Sequence, residues 1–291
     1  METWLAYALA SAIFTTAAVL TQKKTLIKEH AMEFSTVLAF FTLLVSLPFL
    51  LVIDYSKLQL IPLVILFFTS ILGAIGFLLV AKSIRHMKIT HSTPLLSLSP
   101  GITALLAFIF LGESLTFNRI LGITLLLLGA YVLETKSAIS LLASIKALGK
   151  SKYISYIFLA LLLYGIAPIF DRIILYNYDM QPEAYIVFVH IFLAFHFIIM
   201  LTLFYDGIKG IKHGLKKAGW WIFLISVFTV GYRLSQAEAI KLVSVGLATS
   251  VRRISTLFTI FIGGELFHED RLLRKFIASL IIILGTILII L

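Results

Sequence analysis

Five cations and two carboxylates stand inside or at the rim of apolar stretches in the second half of the chain: Arg172, Arg233, Lys241, Arg252 and Arg253 beside Asp171 and Glu238. Charge is costly in an apolar medium, so each needs a partner or a task. The excess is positive, and guanidinium forks suit bidentate binding of a carboxylate or a phosphate. The chemistry expected is capture of a small anion or zwitterion, with Arg233, Arg252 and Arg253 as substrate-binding residues. Tyr232 and Tyr164 lie deep enough to line the same site, and Glu238 and Asp171 would balance charge or carry a proton. Neighbours on a helix point ~100° apart, so at most one of Arg252 and Arg253 faces a cavity squarely. The alternative is a closed pairing network. Arg233 would then meet Glu238 or Asp171, while Arg252 and Arg253 reach for a carbonyl, a headgroup or the interface.

The chain carries its own control, because it is one unit written twice. A shift that lays Ala81 on Ala237 also lays Ser99 on Ser255, Thr103 on Thr259, Glu113 on Glu269 and Gly129 on Gly285, without a gap. The beginnings match at a slightly different offset, with Trp4-Leu5-Ala6-Tyr7 on Tyr153-Ile154-Ser155-Tyr156 and Lys23 on Arg172. The charged residues do not repeat. Arg233 falls at the apolar Phe77-Leu78 step, Arg252 on Leu96, Arg253 on Ser97 and Asp171 on Gln22. A fold shared by both copies does not need those charges, which makes their asymmetry the strongest functional signal.

The elements that position them must be membrane helices. Sixty per cent of the 291 residues are hydrophobic, against about half in a soluble domain. Apolar runs near 3–22, 34–53, 59–82, 90–111, 118–134, 153–176, 184–204, 218–242, 246–267 and 271–291 predict ten spans. The fold class expected is all-α and integral to a membrane, with ten transmembrane helices in two inverted five-helix repeats around a central cavity. Residues 1–136 form the first repeat, 137–152 an amphipathic linker and 153–291 the second repeat. Five spans per copy is an odd number, so the second copy enters from the opposite face. Segments 137–150 and 206–217 read as short interfacial helices. The first span is too long, and lacks the basic start, for a cleaved signal peptide.

The net charge of +10 points to anionic headgroups and the positive-inside rule rather than to nucleic acid. Only Lys57, Arg119, Arg172 and Lys241 fall on the face holding both termini, while Lys23, Lys24, Lys28, Lys82, Arg85 and most others fall on the opposite face. That bias places both termini outside the cytoplasm, in a membrane expected to be the prokaryotic cytoplasmic one.

Ser99-Pro100 in the fourth span, Leu111-Gly112-Glu113 followed by Leu115-Thr116, and Gly122 with Gly129 in the fifth resemble the drug/metabolite transporters of the ten-helix EamA type. The second copy keeps Glu269 and Gly285 but has Thr256 at the Pro100 position and Ala278 at that of Gly122. The resemblance covers nearly the whole chain and implies a basket of helices whose central cavity alternates between faces. Members of this type move amino acids, sugars, nucleotide-sugars and sugar phosphates, and related proteins commonly hold both termini in the cytoplasm. Arg252-Arg253 also resembles the Lys-Arg pair in the ninth helix of plastid sugar-phosphate translocators.

Phosphate-binding loops, zinc-protease, nucleophile-elbow and dinucleotide motifs are missing. A non-enzyme without cofactors is therefore expected, with secondary transport as its activity. The expected partners are a small-molecule substrate and membrane lipids, and the choice between monomer and homodimer stays open. Expected function is alternating-access transport of a small anionic or zwitterionic metabolite. The alternative is proton-coupled export of amino acids or cationic drugs. Less favoured are a membrane enzyme for lipid-linked substrates and a non-transporting assembly subunit. Pro100 and Pro168 are the expected hinges. Glu113 and Glu269 are expected to cap exposed amides, and Trp220-Trp221 to sit at the interface. His190 and His196, too far apart in register for a metal pair, are expected to be satisfied packing residues.

Overall fold

The computed structural model describes residues 3–27, 29–96, 98–99, 101–102, 116–134, 151–205, 220–243, 248, 251–269 and 271–290. Among them the chain forms ten α-helices: α1 (Thr3–Leu26), α2 (Ala31–Ser46), α3 (Leu60–His86), α4 (Ile89–Leu96), α5 (Phe117–Glu134), α6 (Lys152–Arg172), α7 (Pro182–Phe204), α8 (Trp221–Leu242), α9 (Ile254–Leu266) and α10 (Leu272–Ile290). Among the described residues, six stretches are long and apolar enough to cross a membrane: α1, Ala31–Leu51, α3, Lys152–Asn177, α7 and Leu272–Ile289. The 22-residue α8, which carries Arg233, Glu238 and Lys241, is not among them. The ten-span expectation is thus met by length and composition only at six places. Part of the fourth and ninth runs, the linker 137–150 and the segment 206–217 lie outside the described residues.

Local chemistry sets the helix ends. Pro48 has no N–H to give the α2 ladder, and the chain tightens there into a 3₁₀ turn, Leu47–Leu51. Pro182 starts α7 where a missing N–H costs nothing, with Glu183 beside the positive helix end. The α6 backbone runs helical through Pro168 and loosens only afterwards, in the π turn Ile173–Asn177. Hydroxyls that would be stranded in an apolar bundle donate to carbonyls one turn back, as Thr16 does to Ala12 (2.9 Å) and Ser35 to Ala31 (2.7 Å).

The packing is pseudo-symmetric. Helix α1 lies on α8, and its repeat counterpart α6 lies on α3, the counterpart of α8; α2 pairs with α7, α4 with α9 and α5 with α10. The partners run antiparallel. Ser11 of α1 meets Gln236 of α8 while Lys24 lies over Trp221, and Gly76 of α3 faces Tyr164 of α6 while Ser83 bonds Tyr153. The α5–α10 crossing is closest of all. A Cβ on Gly122 would lie 2.6 Å from the Gly285 carbonyl oxygen, and one on Gly129 would lie 2.8 Å from that of Ala278. The shift that lays Gly129 on Gly285 lays Gly122 on Ala278, so each of these contacts maps onto the other. Only small residues let two backbones meet this way. Outward-facing Leu51, Leu60, Phe117, Phe204 and Leu273 are exposed, an apolar outer surface suited to lipid rather than water.

Candidate functional site

Three helices, α6, α7 and α8, and the residues just before α9 bring the charged residues together. Tyr164 and Asp171 are seven positions apart on α6, hence on one face. The Tyr185 hydroxyl, from the first turn of α7, donates to Asp171 Oδ1 at 2.8 Å. Arg233 on α8 and Arg252 before α9 both interact electrostatically with that carboxylate and with Tyr164. Arg233 also interacts with Tyr232 and Tyr185. Tyr164, Asp171, Arg233, Arg252 and Arg253 all keep partial exposure rather than being sealed in the core.

Small residues set these groups in place. Ser11 of α1 donates to the Tyr232 carbonyl at 2.9 Å, and Gly231 lets Phe14 lie flat against α8. Together they hold the Tyr232–Arg233 step against α1. Gly76 gives the Tyr164 ring its place, since a Cβ there would stand 2.7 Å from the ring edge.

The other sequence candidates part company. Arg253 donates to Ser99 Oγ on the first half's fourth run, and its Nε has no hydrogen-bond partner. Glu238 has Glu183 and Lys241 as its electrostatic neighbours, so the carboxylate facing the arginines is Asp171. Arg172 and Lys241, counted among the five cations, work elsewhere. Arg172 Nη1 donates to the Ile240 and Val243 carbonyls that end α8, the latter at 2.9 Å, and its guanidinium lies 3.8 Å over the Tyr176 ring. Lys241 pairs with Asp179 at 2.9 Å outside the bundle, and its hydrogen bond and charge hold that carboxyl below the usual carboxylate range. Pro100 and Glu113 lie outside the described residues.

Two residues join the site that sequence reasoning left out. Tyr185 sits in an apolar run with no local sign of a task. His190, one and a half turns further along α7, was expected to be satisfied by packing like His196. His196 is satisfied, at 2.9 Å from Ser70 Oγ and 3.2 Å from the Phe67 carbonyl. His190 is 1% exposed, interacts with Arg233, and leans toward the Ile186 carbonyl without giving either ring nitrogen a well-formed hydrogen bond. No cluster of His, Cys, Asp and Glu fit for a metal ion occurs among the described residues.

Away from the site, Lys23 Nζ, the counterpart of Arg172, donates at 2.6 Å to both the Ile84 and Met87 carbonyls that end α3. Ile84 and Met87 are the counterparts of Ile240 and Val243. Glu269 caps a helix of the other half. Its Oε1 accepts from the Ile89 amide, at the start of α4 in the other half, at 2.8 Å. Trp220 and Trp221 stack at 4.6 Å, with Lys24 over the latter.

The profile of the EamA-like transporter family matches residues 2–135 and 151–291. An uncharacterized protein of Methanocaldococcus jannaschii is 35% identical over 66 residues, which are 23% of this chain and 48% of that relative. The chain thus spans about half the length of the curated relative it matches. A solved crystal structure of another protein superposes with a TM-score of 0.58 at 14% identity, covering 96% of this chain and 95% of that one. At that identity the likeness speaks for the fold alone.

Proposed function

This chain belongs to the EamA-like transporter family, a family of membrane transporters rather than of enzymes, and from that premise we propose that it is a secondary transporter of a small anionic or zwitterionic metabolite. Ten spans in two inverted five-helix repeats, residues 1–136 and 153–291 about a linker, would carry the cargo by alternating access. The reading rests on one observation: Arg233 and Arg252 both lie within electrostatic reach of a single carboxylate, Asp171, among Tyr164, Tyr185 and Tyr232. That leaves positive charge in excess where little water screens it, and an anion supplies the balance. Arg233 and Arg252 hold the anion, Tyr232 and Tyr164 line the site, and Arg253 braces it through Ser99. Asp171 balances charge within the site and Glu238 near its rim. Pro100 and Pro168 are the hinges. The basic face lies in the cytoplasm and both termini outside, with lipids covering the apolar flanks.

Thermal-shift screening of the purified protein against anionic, zwitterionic and cationic metabolites tests this, beside Arg233→Ala and Arg252→Ala. Stabilisation by a carboxylate or phosphate compound, lost in either variant, supports the reading. Stabilisation by cations alone, or an anion response that both variants keep, overturns it.

A second reading, proton-coupled export, draws on the Tyr185–Asp171 hydrogen bond, which suits a carboxyl that gains and loses a proton. In that case Asp171→Asn abolishes transport into vesicles, while Arg233→Ala only weakens it.

A further inference from the structure

A second charged cluster lies at the opposite, basic face, and the cargo site does not use it. The side chains of Glu269 and Lys275 are only 5% and 6% exposed there, and Lys23 is 7% exposed. Glu269 Oε1 accepts the Ile89 amide of α4 at 2.8 Å, and its Oε2 lies 3.5 Å from Lys275 Nζ of α10. Lys23 of α1 closes the end of α3 through Ile84 and Met87 and interacts with the same carboxylate. Lys23, Ile84, Met87 and Ile89 belong to the first half; Glu269 and Lys275 belong to the second. One buried carboxylate therefore ties the two halves together at this face.

The other face differs. There Arg172 reaches Ile240 and Val243, and Lys241 reaches Asp179, all within the second half, and a tie between the halves is a neutral one, from the Asp54 amide to Gln181 Oε1 at 2.8 Å. The repeat places Arg119 at the position of Lys275. Lys275 is buried, whereas Arg119 is only half-buried. Glu113, the counterpart of Glu269, lies outside the described residues.

A buried ion cluster is a poor way to gain stability, since well-packed apolar residues would do as well or better. It is a good way to make two discrete states, because breaking one bond strands several charges and water must then enter. Just inside the cluster the walls already touch. A Cβ on Gly263 of α9 would lie 2.7 Å from Leu20 of α1 and 3.2 Å from Ile89.

We propose that the Lys23–Glu269–Lys275 cluster is the latch that shuts the basic face, and that the bond from the Ile89 amide to Glu269 breaks when that face opens. This rests on the alternating-access reading but not on the nature of the cargo. Opening separates α4 from the α9–α10 turn, exposes Glu269 to water and admits solvent along α1 toward the centre.

The chain has no cysteine, so one introduced thiol reports alone. Thr16 is a suitable site, buried on α1 against the Ser255 carbonyl. It lies two turns, about 10 Å, inward from Lys23 on the same helix face. The full-length Thr16→Cys protein in sidedness-checked vesicles is treated with a membrane-impermeant maleimide from each face, with and without Glu269→Gln. Labelling from the basic face is expected to rise about tenfold or more in Glu269→Gln, with no rise from the other face. An unchanged rate in a folded variant overturns the proposal, and so does an equal rise from both faces, which would mean general loosening. Lys275→Gln repeats the test if Glu269→Gln does not fold. If neither yields folded protein, the cluster is a structural support and the proposal is overturned. The readout needs no cargo, so a failed anion screen and a failed latch are separate results.

Discussion

Lys23 and Arg172 occupy equivalent places in the two halves and make the same pair of bonds, each to the last carbonyls of a neighbouring helix, α3 in one case and α8 in the other. Arg233 has no such twin. The matching stretch of α3, Phe77-Leu78, packs into the apolar core, and Asp171 is matched by a buried Gln22. A helix end inside a membrane needs its carbonyls satisfied in either copy, so that device is repeated. The proposed cargo site would need charge from one side only, and there the repeat fails. Repetition marks what the fold requires, and its failure marks what the chemistry requires.

The largest effect should come from the crossing that makes the halves equivalent. Gly122→Val drives a side chain into the Gly285 carbonyl and Ile289, and overpacking against backbone costs about 3 kcal/mol. Gly129→Val, at the matched contact, should cost the same within error when unfolding is followed in detergent. A large loss in one and none in the other would break the symmetry argument.

Next come the two clamps. Lys23→Ala and Arg172→Ala each remove charged donors from helix-end carbonyls and should each cost about 2 kcal/mol. Cross-replacement sharpens the point: Lys23→Arg and Arg172→Lys should both retain most of the stability if the roles are interchangeable.

Arg233→Leu then gives the second copy the kind of residue the first already has. Stability should hold or rise slightly, because an excess buried charge is gone. Affinity for the best anion from the screen should fall about tenfold or more, or about 1.4 kcal/mol. Loss of fold instead of affinity would mean the arginine is structural.

The smallest effect is at Asp179, which is exposed. Its folded carboxyl titrates below the unfolded value because Lys241 donates a hydrogen bond and charge to it. The contribution is present above the ordinary aspartate value, about pH 4, and is lost as pH falls through the folded value. A slight drop in melting temperature on acidification, absent in Lys241→Gln, is the expected outcome, and salt should weaken it.

Much of the candidate site was legible because charge in an apolar run is conspicuous and the first copy lacks these charges. Arg233, Arg252 and Asp171 could be read that way. Glu238 could not, since sequence distance from Arg233 says nothing of which way the end of α8 turns; it lies toward Glu183 and Lys241 instead. Tyr185 and His190 were hidden for the opposite reason. Polar aromatics are common in apolar helices, and only the approach of α7 to α6 and α8 gives these two a charged neighbour.

By itself the sequence determined the membrane class and the doubling of the unit. Those are matters of composition and period, which survive without knowing where any helix lies. The tertiary structure alone decided which charges meet. Lys241 found Asp179, Arg172 found helix-end carbonyls, and Glu269 reached across to the Ile89 amide of the other half. Electrostatic contacts depend on a few ångströms between segments far apart in the chain, and helix packing, not residue type, sets those distances.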